Sequence, residues 1–368
     1  MDSKHIVIDA RIRRSSTGRY TDRLIQHLQT LSTNHQFTVL VQPDDPWQPT
    51  AHNFEVAHSP FPQFSLNPLN DTKFAYQLND LNADLVHFTM TQQPLTYRGK
   101  TVTTTHDLTM LRFVRAGKTP LPIFWLKRLG YRVLFYVANK KSSQVIVPSE
   151  FVANDLKKLY PFLDNVHITY ESSEPPIKAA SSPIEGLTDP FIMHVGSPFP
   201  HKNIQKLIEA FEIILADKPN LKLVLAGKKE FYFNELEDWA RKRDSYDSIL
   251  FAGFVSDPQL KWLYQNAEAY ILPSLSEGFG LPGLEAMAHD CPLISSNATC
   301  LPEVYEDAAH YFDPTSTKDI ADSITTVLND QKLRKELIAK GKSQLKKYSW
   351  RTMAEQTLAI YDQALDLK

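Results

Sequence analysis

Ser274-Leu275-Ser276-Glu277-Gly278-Phe279-Gly280-Leu281-Pro282-Gly283-Leu284-Glu285-Ala286-Met287 follows a short apolar run, Ala269–Leu272, that reads as a buried strand. Three glycines in six residues, Gly278, Gly280 and Gly283, let a backbone adopt positive φ and approach a ligand closely. Pro282 suits the first turn of a helix, and Glu285 is expected within that turn. A helix start offers free N–H groups and a positive dipole end, a site suited to a diphosphate. Glu277 lies before the glycines, on the loop, and Glu285 past them, on the helix. One carboxylate can accept both hydrogens of a cis-diol, so the pair could hold two polyols on either side of a diphosphate.

Outward from this loop, short apolar runs alternate with helical patterns. Strands are expected at His5–Ile8, Phe37–Gln42, Leu85–Phe88, Thr101–Thr104 and Gln144–Val147. A second set falls at Phe191–Val195, Leu221–Ala226, Ile249–Phe251, Ala269–Leu272 and Pro292–Ser295. Continuous β-branched and aliphatic runs fit strands covered on both faces, and 3.6-periodic segments such as Arg19–Leu31 and Ile204–Leu215 lie between them. The alternation predicts an α/β protein with parallel sheets. Between the two sets, 172–190 is rich in Pro and Ser without periodicity and reads as a linker. The expected domains are 1–171, the linker 172–190, 191–347, and a C-terminal helix within 348–368 that is free to cross back. In doubly wound sheets ligands bind beyond the carboxyl ends of the strands, so the chemistry belongs in the loops after them.

The chain has 368 residues, 42% of them hydrophobic and 22% charged, enough to fill two cores and incompatible with a wholly disordered chain. Two cysteines, Cys291 and Cys300, cannot build a disulfide framework or a four-thiolate metal site. The start runs almost directly into a strand, without the features of a secretory signal, and no stretch is long and apolar enough to span a bilayer. The expectation is a soluble, cytoplasmic protein with reduced thiols. The net charge of −2 divides unevenly, +6 over residues 1–170 and −8 over the rest, which suggests different partners for the two halves.

Taken alone, Glu285 also fits a carboxylate that merely complements a helix dipole, and the glycines a simple turn. A glycosidase pair is a further reading, but a carboxyl near a helix start has a lowered pKa and makes a poor general acid.

The segment from Glu277 to Glu285, within Glu-Gly-Phe-Gly-Leu-Pro and Glu-Ala-Met-Ala, resembles the signature of retaining GT-B glycosyltransferases of family 4, among them mannosyltransferase-like members. Val195-Gly196-Ser197-Pro198-Phe199-Pro200-His201-Lys202-Asn203 is similar to the family's glycine–lysine loop. Leu301-Pro302-Glu303-Val304, Tyr348-Ser349-Trp350, Asp9-Ala10-Arg11, Thr17-Gly18-Arg19-Tyr20 and Thr105-His106-Asp107-Leu108 look like its other landmarks, in order along most of the chain. The resemblance implies a GT-B fold, two Rossmann-like domains facing a cleft. A nucleotide-sugar donor is then held by the second domain and a glycan or lipid-linked acceptor mainly by the first, as in polysaccharide biosynthesis. By analogy Glu277 binds hydroxyls of the donor hexose and Glu285 the ribose diol, and the backbone of Gly278, Phe279, Gly280 and Leu281 meets sugar and phosphates. GDP-mannose is the first donor suggested and a UDP-sugar the second. A GT-B phosphorylase, a sugar-nucleotide epimerase and a non-catalytic sugar-nucleotide-binding protein are the rival readings.

Lys202 follows a strand and a glycine, Gly196, from where its charge can stabilise a departing diphosphate. Ser197 and His201 stand where relatives often carry arginine, so Lys228, also after a strand end, is the candidate second cation. His106, with Asp107, follows Thr101–Thr104 and is expected beside the reacting sugar and acceptor; a lone histidine there also fits a structural role. Gly18 opens the first helix and could bring backbone near the diphosphate, although relatives often keep two glycines there. Asp290 replaces a usual glycine and is expected to be left-handed at a helix end. There is no Asp-x-Asp and no metal-ligand cluster, so neither metal nor other cofactor is expected. Domain closure about the linker would exclude water from the donor.

Between Asp107 and Glu150 there is no acid, but there are Arg112, Arg115, Lys118, Lys127, Arg128, Arg132, Lys140 and Lys141 among six aromatic residues. Such a helix suits peripheral contact with an anionic membrane or an acidic acceptor, and equally a helix with an apolar core face and a basic solvent face. Nucleic acid is not expected, since no recognition motif accompanies the patch.

Overall fold

The computed structural model describes residues 2–15, 17–63, 67–113 and 121–366. The chain forms two compact units. One comprises Met1–Arg112, Leu121–Glu171 and Ser349–Lys368, and the other is built on Ser172–Tyr348.

The first unit runs β1 (His5–Asp9), α1 (Gly18–Leu28), β2 (Gln36–Val41), β3 (Phe54–His58), α2 (Pro68–Asp80), β4 (Leu85–Phe88) and β5 (Thr101–Thr104). It continues with α3 (Thr109–Arg112), α4 (Leu121–Lys141), β6 (Gln144–Val147), α5 (Glu150–Leu159) and β7 (Val166–Ile168). Its seven strands lie in the order β3-β2-β1-β4-β5-β6-β7, all parallel, with Val7 opposite Thr38 and Ile8 opposite His87. Ile6, Val7 and Ile8 are wholly buried because helices cover both faces. On one face Val7, Val86 and Phe88 pack against Phe74 and Leu78 of α2.

The second unit runs β8 (Phe191–Val195), α6 (Ile204–Leu215), β9 (Lys222–Ala226), α7 (Phe231–Ala240), β10 (Ile249–Gly253), α8 (Asp257–Asn266) and β11 (Ala269–Leu272). Then come α9 (Leu281–Ala288), β12 (Leu293–Ser296), α10 (Leu301–Tyr305), β13 (Ala309–Phe312), α11 (Thr317–Asn329) and α12 (Gln331–Gln344). The strand order is β10-β9-β8-β11-β12-β13, again all parallel. Leu207 and Phe211 of α6 and Ile320 and Ile324 of α11 bury against Ile192, Leu223 and Ile271 of the sheet. Each such side chain contributes about 1.5–3 kcal/mol of hydrophobic stabilisation.

In both units the strand order reverses beside the first strand, between β1 and β4 and between β8 and β11. Loops leaving two strands on either side of such a point diverge and leave a crevice, where ligands of doubly wound sheets bind.

The three strands that the apolar pattern does not mark, β3, β7 and β13, are all edge strands. Their side chains are partly exposed, so they lack the unbroken apolar run of a central strand. The 172–190 segment contains no helix or strand, yet it is bound to the second unit. Ile177 N–H donates to His289 Nε2 at 3.1 Å, Ser182 N–H to the Pro258 carbonyl at 3.0 Å, and Lys261 Nζ to the Ala179 carbonyl at 2.9 Å. The last helix, α13 (Trp350–Ala364), returns to the first unit and packs on α1. Ser349 caps it, accepting from Thr352 N–H, and Trp350, Met353, Ile360 and Tyr361 are among its buried side chains.

Candidate active site

In the second unit Lys202 and Glu277 are brought together from loops 75 residues apart, one after β8 and the other after β11. The first loop tightens into a single 3₁₀ turn, Pro200–Lys202, and ends at Asn203 in the left-handed conformation (φ 61°). The Asn203 carboxamide donates to the carbonyls of Pro273 at 3.1 Å and Pro314 at 2.8 Å, which ties this loop to the end of β11. Lys202 Nζ donates to Glu277 Oε1 at 2.6 Å, and Ser274 Oγ donates to the same oxygen at 2.6 Å. The backbone of Glu277 is held too, its N–H donating to Thr299 Oγ1 at 3.1 Å. Burial alone would raise the Glu277 pKa; the Lys202 charge and the Lys202 and Ser274 hydrogen bonds outweigh it, and the carboxyl is held below its usual range. Both side-chain donors meet Oε1, so Oε2 keeps its acceptor capacity, and an ammonium has three donors, of which Glu277 takes one.

The glycines have more structural duty than the sequence suggests. Gly280 is left-handed (φ 93°) at the entry to α9, and a Cβ there would lie 2.4 Å from the Tyr305 hydroxyl. A Cβ on Gly283 would lie equally close to that ring, and the Tyr305 hydroxyl donates to the Gly280 carbonyl. The missing Cβ of these two glycines therefore makes room for Tyr305. Phe279 is buried with its ring edge-on to Tyr348, 5.3 Å between centroids. Leu281 is the first residue of α9, so Glu285 is its fifth, half-buried and just past the first turn in which it was expected. Asp290, left-handed at φ 60° just past α9, adopts the conformation read from its sequence.

Gly196 follows β8 at φ 145°, and Gly227 follows β9 so close to it that a Cβ there would fall 2.4 Å from the Gly196 carbonyl. Ser197 is half-buried in the Lys202 loop, and Lys228 is exposed after β9. A residue missed in the sequence, His194, sits on β8 beneath these groups, 3% exposed. Its Nδ1–H donates to the Ile271 carbonyl at 2.9 Å, and its Nε2 has no hydrogen-bond partner among the described residues. Burial, helped by the Lys202 charge, lowers its pKa to about 4, so it is neutral at pH 7.

In the first unit His106 follows β5. Its Nε2 donates to the Thr89 carbonyl at 2.9 Å and its Nδ1 to Glu171 Oε1 at 3.3 Å, while Tyr20 packs edge-on against the ring. Both ring nitrogens face acceptors, an arrangement that the imidazolium satisfies in full. Burial works against the charge, but the Glu171 hydrogen bond and charge, with Thr89 and Asp107, raise the pKa above its ordinary value. Neither Glu171 nor Thr89 carries a local sequence signal; each ends a strand-and-loop segment distant from His106 in the chain. Asp107 accepts from Thr109 N–H at 2.7 Å and so starts the short α3. Gly18 opens α1 with a steric duty, since a Cβ there would lie 2.4 Å from the Ile12 carbonyl. Asp9 and Arg11 form a buried bidentate pair, both contacts 2.8 Å.

A buried chain of hydroxyls and imidazole links α13 to this region. The Tyr361 hydroxyl lies 2.6 Å from His87 Nδ1, His87 Nε2 lies 2.9 Å from Thr104 Oγ1, and Thr104 lies 3.1 Å from the Tyr20 hydroxyl. Burial lowers the His87 pKa to about 3, with the His106 charge adding to the effect.

The acid-free helix differs from a helix with a basic solvent face. The exposed face of α4 carries Ile123, Trp125, Leu126, Leu129, Val133 and Tyr136. Arg128 donates to the Leu111 carbonyl, Lys141 to the Pro94 carbonyl, and Arg112 pairs with Asp155. Arg115 and Lys118 lie outside the described residues. Both cysteines are free and buried. Among the described residues no group of three or more His, Cys, Asp or Glu side chains could hold a metal ion, and no helix is long and apolar enough to cross a membrane.

The two parallel sheets, each reversing at its first strand, define a GT-B fold. The chain superposes on a sucrose-phosphate synthase of Thermosynechococcus elongatus with a TM-score of 0.77, at 18% identity and 99% coverage of both chains. An Anabaena protein solved with UDP and glucose gives a TM-score of 0.71 at 18% identity, covering 98% of this chain and 100% of that one. Residues 17–171 match the family described as Glycosyltransferase Family 4, and residues 179–344 the family described as Glycosyl transferases group 1. The chain belongs to the group 1, family 4 glycosyltransferases. Its curated relatives include the O-antigen chain mannosyltransferase B of Escherichia coli, 33% identical over 46% of this chain and 45% of that protein. A serotype-specific mannosyltransferase of Escherichia coli is 29% identical over 72% of this chain and 34% of its own length. The matches thus span less than half the length of these relatives.

Proposed function

We propose that the chain is a retaining, metal-independent hexosyltransferase that moves mannose from GDP-mannose, with a UDP-sugar as the second choice of donor, to a glycan or lipid-linked acceptor. The observation that carries this reading is the Lys202–Glu277–Ser274 cluster at the point where the second sheet reverses. The mannosyl choice draws on the names of the curated relatives.

In the proposed reaction the bond between the anomeric carbon and the phosphate oxygen breaks, and an acceptor hydroxyl oxygen bonds to the same face of that carbon. The acceptor proton passes to the departing phosphate oxygen. Lys202 opposes the charge that develops on the diphosphate, with Lys228 as the second cation and the N–H groups about Gly196, Ser197 and Gly278–Leu281 as further donors. Glu277 orients the sugar through Oε2, and Glu285 binds the ribose diol. His106 and Asp107 serve the acceptor side, His106 held in orientation by Glu171 and Thr89. Gly18 contributes by its close backbone packing.

The test is a thermal-shift screen of GDP-, UDP-, ADP- and dTDP-sugars, followed by NMR of the product anomer with and without EDTA. A donor that stabilises the protein and is transferred with retained configuration in EDTA supports the reading. Inverted product, loss of transfer in EDTA, or donor binding with no transfer to any acceptor refutes it.

A cytoplasmic enzyme peripheral to an anionic membrane is the corresponding proposal for location. It rests on the exposed apolar face of α4 beside Lys127 and Arg132. Because Arg128 supports the Leu111 carbonyl, replacing Lys127 and Arg132 alone is the cleaner test. Sedimentation with phosphatidylglycerol vesicles that is unchanged in that variant removes the membrane contact.

A further inference from the structure

The core face of α1 carries two polar side chains, Tyr20 and Thr21, 2% and 0% exposed beside Leu24, Ile25 and Leu28. A hydroxyl on such a face is costly unless it is paired, and each of these is paired. Thr21 Oγ1 donates to Thr89 Oγ1 at 2.9 Å, and Thr89 Oγ1 donates to the Asp9 carbonyl at 2.7 Å. Asp9 ends β1 and Thr89 follows β4, so this short chain joins the two strands between which the first sheet reverses. It also fixes the residue whose own carbonyl accepts from His106 Nε2 at 2.9 Å.

Tyr20 acts on the imidazole ring itself. It stands edge-on to His106, with the ring centroids 4.9 Å apart and the planes at 80°. Its hydroxyl is anchored 3.1 Å from Thr104 Oγ1, at the end of β5 and two residues before His106. Thr104 meets His87 Nε2, and His87 Nδ1 meets the Tyr361 hydroxyl of α13. His87 is neutral at pH 7, so it donates from one nitrogen and accepts at the other, and the chain is satisfied in either direction. Tyr20, Thr104, His87 and Tyr361 are all buried, and a buried network with every member satisfied is rigid. An imidazole held at its two nitrogens by Thr89 and Glu171 can still tilt about the line joining them. The edge of the Tyr20 ring opposes that tilt.

We propose that Tyr20 and Thr21 are positioning residues for His106, Thr21 by fixing the Thr89 carbonyl that accepts from Nε2 and Tyr20 by fixing the tilt of the ring. This rests on the glycosyl-transfer reading, in which His106 serves the reaction. Both residues act through His106 alone. The charged and titratable groups that bear on the His106 charge are Glu171, Asp107 and His87. The Thr89 hydrogen bond adds to the rise in the His106 pKa, so a displaced Thr89 carbonyl lowers it.

The test is the titration of His106 followed by NMR, read beside Tm and, with the nucleotide sugar found by the thermal-shift screen, turnover and donor affinity. Thr21→Val keeps the shape of the side chain and leaves Thr89 still donating to Asp9. It should move the His106 midpoint to lower pH by about half a pH unit, the scale of one hydrogen bond, and lower turnover by about 10-fold with donor affinity unchanged. Thr21→Ser returns the hydroxyl and should restore both. Tyr20→Phe keeps the ring but releases it from Thr104, so turnover should fall by about 5-fold while the titration stays in place. Ser316→Ala removes the cap of α11 in the second unit, a control for a general loss of stability, and should change neither turnover nor titration. An unmoved titration in Thr21→Val, unchanged turnover in both Thr21→Val and Tyr20→Phe, failure of Thr21→Ser to restore, or an equal turnover loss in Ser316→Ala overturns the proposal. A wild-type protein that binds no nucleotide sugar sinks the transferase reading, while a shifted titration in Thr21→Val still upholds the hold of Thr21 on His106. A wild type that transfers sugar with no shift in Thr21→Val does the reverse.

Discussion

In the second unit Glu277 meets the ammonium group of Lys202 at 2.6 Å; in the first, Glu171 meets the imidazole of His106 at 3.3 Å. Both carboxylates are largely buried and both pairs stand at the ends of parallel strands. The lysine holds the Glu277 carboxyl below its usual range, and its charge is of the sign that stabilising a departing anion requires. The histidine pair can lose its charge, and its pKa is raised only because Glu171 and the Thr89 carbonyl outweigh burial. His87, buried in the same unit but facing hydroxyls instead of a carboxylate, has its pKa lowered to about 3. The partner, more than the depth of burial, decides the sign.

The largest effect expected from this contrast is that of Lys202→Ala. It should lower turnover by on the order of 10²-fold or more, the scale of one lost electrostatic stabiliser. Turnover equal to wild type would remove Lys202 from the mechanism. Glu285→Ala should weaken donor binding by about 10-fold or more, the scale of hydrogen bonds to a charged group, and change turnover less. A variant with normal donor affinity by calorimetry would release Glu285 from the ribose.

Glu171→Gln sharpens the comparison from the other side. Without the carboxylate the His106 pKa should fall, moving the corresponding limb of the pH–rate profile to lower pH, while nucleotide-sugar affinity stays unchanged. An unmoved profile would mean that His106 does not titrate in the reaction. The smallest effect expected is that of Tyr361→Phe, which removes the hydroxyl 2.6 Å from His87. A loss of about 1 kcal/mol of stability is expected, read as a lowered Tm.

Stability should also depend on pH in opposite senses. The His106–Glu171 contribution is fully present below the ordinary histidine pKa and is lost as pH rises through the raised value. His194 and His87 behave oppositely. Their pKa values are lowered to about 4 and about 3, so their contribution is complete above the ordinary histidine value and is lost as pH falls towards those values. Denaturation midpoints across pH 4–9 check both, and His87→Asn should flatten the acid side alone.

Much of this was readable one segment at a time. Central strands such as β9 and β11 announce themselves because burial on both faces demands apolar runs, and α6 because its buried residues recur at helical spacing. The edge strands β3, β7 and β13 do not, since their side chains are partly exposed. The Glu277 and Lys202 loops were legible through glycine, proline and charge in a strand–loop–helix order. Glu285 was placed one residue too early in its helix because helix boundaries depend on the cap, here a left-handed Gly280 held by Tyr305.

What lay in the chain itself was the kind of element at each position and the chemistry stored after the strands, because both follow from local periodicity and residue type. What only folding decided was company. Strand order put the loops after β8 and β11 side by side and so paired Lys202 with Glu277. It returned α13 to the first unit, where Tyr361 supports His87. These are contacts between residues far apart in sequence, and no local pattern encodes them, since their energy comes from burial that exists only once the sheets have formed.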